Sequence, residues 1–147
     1  NFLEIYMLIV SKYGIDTSKI DLEITESATV EAGIDIIEIM NKMKKLGFLI
    51  SIDDFGTGYS SLSTLQDMPA GILKIDKSFV DRIGKNEKNM IDYILTMAKE
   101  LKLVTIAEGV ETKEQKDYLL EKGCDIIQGY YYAKPMPETE FKEFMKK

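Results

Sequence analysis

The chain has 147 residues, 45% hydrophobic and 30% charged, with a net charge of −6 and no histidine. That length suits one compact domain, and the negative balance argues against a basic face for a nucleic acid polymer. Without histidine there can be no Ser-His-Asp triad, Cys-His pair or His-ligated metal, so any chemistry falls to carboxylates, lysine, amides and bound metal ions.

Phe2, Ile5, Tyr6, Ile9 and Tyr13 recur at helical spacing, and Gly14 suits a C-cap. Neither an initiating Met nor an N-cap precedes them, so a segment of something longer is expected. Lys19–Glu26 alternates strictly, Ile20, Leu22 and Ile24 on one face and Asp21, Glu23 and Thr25 on the other, which reads as a strand. A helix is expected from about Val30 to Leu46, its apolar stripe formed by Ile36, Ile37, Met40 and Met43 and its end marked by Gly47. Phe48–Asp53 reads as a buried strand that stops at two adjacent carboxylates, Asp53 and Asp54, followed by a loop with glycines at 56 and 58.

Ser60–Gln66 reads as a short helix, Met68–Gly71 as a turn and Ile72–Asp76 as a third strand. After a charged loop, Asn89–Leu101 is expected to be helical, with Ile91, Ile94, Leu95, Ala98 and Leu101 inward. Leu103–Ala107 is a fourth strand ending at Glu108-Gly109-Val110-Glu111, and the helix Lys113–Lys122 stops at Gly123. The single cysteine, Cys124, sits in an apolar run and reads as buried and inert, in keeping with a reducing, cytoplasmic setting. Asp125–Tyr130 is a fifth strand, leading to Lys134-Pro135-Met136-Pro137 and a last helix with Phe141 and Phe144. Met40, Met43 and the Tyr130–Tyr132 run read as core or surface, and Tyr59 equally as packing or function. No stretch approaches a membrane span and no signal peptide opens the chain.

Five strand–helix alternations imply a parallel sheet flanked by helices, either an open doubly wound sheet or a (β/α)8 barrel. No G-x-G-x-x-G or Walker A loop is present, which disfavours nucleotide-binding versions of the open sheet. Paired acids at a strand end repel each other, and a divalent cation bound by hard oxygens would relieve that; the plainer reading is a helix cap. Taking the strand parity that holds Asp53, each strand places a polar residue late on the same face. The converging set is Glu23, Asp53, Asp54, Lys74, Glu108 and Gln128. In a barrel such residues meet at the C-terminal face, and four carboxylates with one lysine point to a two-metal site for phosphate-ester hydrolysis. The competing reading is a solvated polar rim.

The stretches Glu23-Ile24-Thr25-Glu26-Ser27, Asp53-Asp54-Phe55-Gly56-Thr57-Gly58-Tyr59-Ser60-Ser61-Leu62, Leu73-Lys74-Ile75-Asp76, Ala107-Glu108-Gly109-Val110-Glu111-Thr112 and Gln128-Gly129-Tyr130 with Lys134-Pro135 occur in one order. From about Phe2 to Phe144 the chain resembles the C-terminal part of an EAL domain, the cyclic di-GMP phosphodiesterase module of bacterial signalling proteins. The resemblance implies a (β/α)8 barrel that hydrolyses cyclic di-GMP to linear pGpG with two Mg2+ or Mn2+ ions. It implies Glu23 and Asp53 as ligands of one metal, and Asp53, Asp54 and Glu108 around the second. Lys74 resembles the lysine that holds the attacking water, Glu111 and Gln128 match water-organising positions, and Glu26 matches the glutamate that steadies the loop after Asp54 and contributes to dimerisation.

Ala70-Gly71 stands where the family often has Val-Asp, a departure of local effect. The Glu-Ala-Leu signature and a later metal-binding asparagine belong to earlier strands and have no counterpart here. A full barrel typically takes about 250 residues. The expectation is therefore about five βα units of an incomplete barrel, inactive alone and closed by a second copy or as a homodimer. The resemblance is compatible with a parent carrying a GGDEF or sensor domain and anchored in the membrane elsewhere. The alternative is a non-catalytic module that binds cyclic di-GMP or a protein partner.

Overall fold

The computed structural model describes residues 2–28, 34–56, 62–85 and 90–146. Its strands are β1 (Asp21–Thr25), β2 (Leu49–Phe55), β3 (Ile72–Ile75), β4 (Val104–Ala107) and β5 (Ile126–Ile127). Helices α1 (Phe2–Tyr13), α2 (Ile34–Lys45), α3 (Leu62–Asp67), α4 (Lys77–Val80), α5 (Met90–Glu100), α6 (Lys113–Glu121) and α7 (Glu138–Phe144) lie between and around them. Every strand pair is parallel and the strand order follows the sequence, β1-β2-β3-β4-β5. A doubly wound sheet reverses order about its first strand, whereas barrel strands are laid down in sequence. The order is the barrel's, and among the described residues the sheet is open, with β1 and β5 as its edges.

The two faces of the sheet differ. Ile50, Ile52, Leu73, Ile75 and Ala107 are at most 3% exposed, in one core with Met40 and Met43 of α2, Ile91, Leu95 and Ala98 of α5, and Leu119 of α6. Burying a side chain of this size contributes roughly 1.5–3 kcal/mol, so this face fixes the strand register. Ile37, expected on the stripe of α2, is half-buried, as are Ile36 and Leu101. On the opposite parity, Leu49, Val104 and Ile126 remain 41–47% exposed at the strand starts. The register keeps that parity in step, Glu23 opposite Ser51, Ser51 opposite Ile72, and Lys74 opposite Ile106. That face is thus apolar at the starts of β2 to β5, while β1 opens on Asp21, and it becomes polar or charged further along the strands.

Three elements differ from the sequence reading. β2 runs two residues past Asp53, because the register shifts between Ile52 and Phe55 and Asp54 takes a left-handed φ of 54°. β5 keeps only Ile126–Ile127, since Gly129 then brings its backbone against that of Val110. The segment read as a charged loop starts with α4, whose N-cap Asp76 accepts a hydrogen bond from the Ser78 N–H at 2.9 Å. Tyr59, Thr57, Gly58, the Ser60–Ser61 start of the short helix, the Val30 start of the second helix and Asn89 lie outside the described residues.

Candidate active site

β3 pushes one ammonium into a ring of acids. Lys74 is 6% exposed, and its Nζ lies 2.7 Å from Glu23 Oε1, 2.9 Å from Glu108 Oε1 and 3.2 Å from Asp53 Oδ1. The three carboxylates come from the middle of β1, the C-terminal half of β2 and the residue just after β4, the strand on either side of β3 and the one beyond. Burial alone would lower the Lys74 pKa, but the hydrogen bonds to Glu23 and Glu108 and the charge of the carboxylates around it outweigh that and raise it far above its ordinary value. The lysine is a fixed cation at any working pH. Gln128, leaving β5, brings Nε2 within 3.5 Å of Glu108 Oε1. Five of the six converging residues (Glu23, Asp53, Lys74, Glu108, Gln128) therefore meet around one point.

Asp54, the sixth, takes the other strand parity, yet it sits in the same field. Desolvation raises its carboxyl pKa, and the neighbouring Asp53 and Asp76 raise it further. Its left-handed φ is one that Asp and Asn tolerate better than other side chains. Just beyond, the Gly56 N–H donates to Glu26 Oε2 at 2.7 Å, and Glu26 is 3% exposed. A Cβ at Gly56 would lie 2.5 Å from Cζ of Phe79, so the backbone is gripped between a carboxylate and the edge of an aromatic ring. Glu111 stands apart from the lysine cluster and pairs with Lys77. That pair borders a cavity of about 620 Å³ lined also by Gln128, Tyr130, Lys134 and Phe141. Lys77 was not singled out by sequence, although the Asp76-x-Ser78 cap signal marks where it begins a helix.

The acids offer only hard oxygen, with no competing imidazole or thiolate. Among the described residues, Asp53 Oδ1 is buried and lacks a hydrogen bond, its 3.2 Å contact with Lys74 being an ion pair only. A buried carboxylate oxygen without a hydrogen bond fits a divalent cation. Among the described residues, however, no three acids are already spaced to hold a metal; the ammonium of Lys74 occupies the middle of the ring. In this form one ammonium offsets only part of the charge of three carboxylates, and the ring keeps a net negative charge whose oxygen donors suit hard divalent cations.

The EAL domain family model matches residues 2–135. The chain is 43% identical to the signaling protein YkoW of Bacillus subtilis over 138 residues, 92% of this chain and 17% of that protein. It is 38% identical to the cyclic di-GMP phosphodiesterase NbdA of Pseudomonas aeruginosa over 135 residues, 90% of this chain and 17% of the relative. It thus spans about a sixth of the length of these curated relatives. Among solved structures, the EAL domain of Mycobacterium smegmatis DcpA superposes with a TM-score of 0.91 at 35% identity, covering 99% of this chain and 66% of that one. Klebsiella pneumoniae BlrP1 in a manganese and cyclic di-GMP complex superposes at 0.81 with 26% identity, over 90% of this chain and 34% of that one. With the parallel strands in barrel order and the acid ring around Lys74, a match over residues 2–135 makes this chain a member of the EAL domain family.

Proposed function

We propose that this chain is the C-terminal portion of one EAL domain and supplies most of a site that hydrolyses cyclic di-GMP to linear pGpG. The observation that carries the reading is the buried Lys74 ammonium held by Glu23, Asp53 and Glu108, which come from three parallel strands. Support for the substrate comes from the phosphodiesterase name of NbdA and the cyclic di-GMP complex of BlrP1. In this reading Glu23, Asp53, Asp54 and Glu108 hold divalent cations, with Mg2+ or Mn2+ the ions that best suit oxygen donors. Bound there, the metal supplies Lewis-acid stabilisation of the charge that builds on the phosphoryl oxygens.

The residues of the chain do the rest. Lys74, cationic throughout, donates a hydrogen bond to the oxygen of the attacking water and favours its hydroxide form. Gln128 steadies Glu108 through its amide, and Glu26 holds the backbone at Gly56 and so the end of β2. Water attacks one phosphorus and gives up a proton to solvent as the new O–P bond forms; the P–O3′ bond breaks, O3′ takes a proton from solvent and leaves as a hydroxyl, and the ring opens to the linear dinucleotide. Glu111 serves at the adjoining cavity rather than at the lysine. The open β1 and β5 edges call for closure by upstream strands or by a second copy in a homodimer, and the 147 residues alone are inactive.

The test compares cyclic di-GMP turnover with Mn2+ for this chain and for a version extended upstream, each with and without a chelator. Turnover confined to the extended, metal-loaded form is expected. Turnover that survives chelation would overturn the metal assignment. Tight cyclic di-GMP binding without turnover in either form would establish a binding module instead.

A further inference from the structure

Lys74 and Lys77 stand on one segment, three residues apart, and each reaches a carboxylate of the turn that follows β4. Lys74 meets Glu108 at 2.9 Å and Lys77 meets Glu111, at the same sequence separation. Between the two acids lies Gly109, at a left-handed φ of 68°. A Cβ there would fall 2.5–2.7 Å from three carbons of the Lys77 stem, so the stem rests on the glycine. The backbone of the turn is tied on both sides, with the Glu108 N–H donating to Ile75 O and the Val110 N–H to Gln128 O, each at 3.1 Å. Glu111 also borders the cavity beside Gln128 and Tyr130. Left unpaired, its carboxylate would set a negative charge at that mouth.

We propose that Lys77 is a positioning residue that, seated on Gly109 and paired with Glu111, fixes the Glu108–Glu111 turn and cancels the Glu111 charge where an anionic substrate enters. Its kinetic consequence rests on the cyclic di-GMP reading; its hold on the turn rests on geometry alone. Lys77→Arg, Lys77→Met and Lys77→Ala in the upstream-extended protein separate the two. Met keeps a stem over Gly109 and removes the charge, so KM for cyclic di-GMP rises about three- to fivefold, the scale of an exposed ion pair, with kcat within about twofold. Arg restores KM. Ala removes the stem as well, and amide hydrogen exchange at Val110 accelerates by roughly tenfold beyond the Met variant, local opening being what exchange reads.

Equal KM across the three variants, or a loss confined to kcat, would overturn the charge role. Unchanged Val110 exchange in Lys77→Ala would overturn the hold on the turn. If the unmutated protein turns over no cyclic di-GMP, the functional reading has failed, and the exchange rates still decide whether Lys77 fixes the turn. Thermal melts of all three variants guard against a folding defect.

Discussion

Lys74, the third residue of β3, has 6% of its surface exposed and three carboxylates within 3.2 Å, whereas Lys77 opens α4 with 43% of its side chain exposed and is paired with Glu111. The same charge is worth different things in the two places. Around Lys74 water is scarce, so removing the ammonium leaves acids facing one another with little screening. Around Lys77 solvent screens the pair, and its value lies in where it holds a turn more than in energy. Both pairings raise the lysine pKa, at Lys77 first through its hydrogen bond to Glu111, and at Lys74 against an opposing burial effect.

The sharpest way to break this contrast is Lys74→Met. It should cost about 10²–10⁴-fold in turnover by the upstream-extended protein, and about 1–3 kcal/mol in stability. The stability loss stays modest because Glu23 is half exposed and water relieves part of the repulsion. Kinetics and denaturant titration read the two effects separately.

Gly129→Ala comes next. Its Cβ would sit 2.2–2.8 Å from the Val110 backbone, which cannot swing aside as the Lys77 stem can at Gly109. A loss of about 2–3 kcal/mol is expected, against about 1–2 kcal/mol for Gly109→Ala, where left-handed backbone strain dominates. Equal losses would show that the two turns are held alike. Glu26→Ala removes the buried acceptor of the Gly56 N–H and should cost about 1–3 kcal/mol by denaturant titration.

The smallest effect is at Asp54. Its folded-state carboxyl pKa is raised, so the folded form binds the proton more tightly than the unfolded chain does. The stability this carries is present below the unfolded pKa and lost as pH rises through the folded one. Asp54→Asn, which also tolerates the left-handed φ, should therefore raise the metal-free melting temperature slightly at pH 7 and not at pH 3. A gain of equal size at both pH values would assign the effect to backbone conformation rather than charge.

Most of the inner ring was readable because strand parity is local: Glu23, Lys74 and Glu108 fall on one face once each strand is placed, whatever the rest of the chain does. The complementary parity carries Ile50, Ile52, Leu73 and Ile75 into the core. What escaped was set by backbone departures from the regular strand. The left-handed Asp54 lengthened β2, and the close approach of Gly129 to Val110 cut β5 short. The partnership of Glu111 with Lys77 escaped because it joins two turns that carry no periodicity, and Lys77 lay in a stretch read as loop. Tyr130, read as core or surface, and Phe141, read as plain helix content, are exposed yet line the cavity, and nothing in their spacing marks that wall.

The most direct test of the central claim is cyclic di-GMP turnover with Mn2+ by the upstream-extended protein and its Lys74→Met variant, with substrate binding measured alongside. The account predicts a fall of at least about a hundredfold in kcat with cyclic di-GMP still bound. Turnover within a few fold of the unmutated protein would contradict it, because Lys74 would then be a neutralising cation and nothing more.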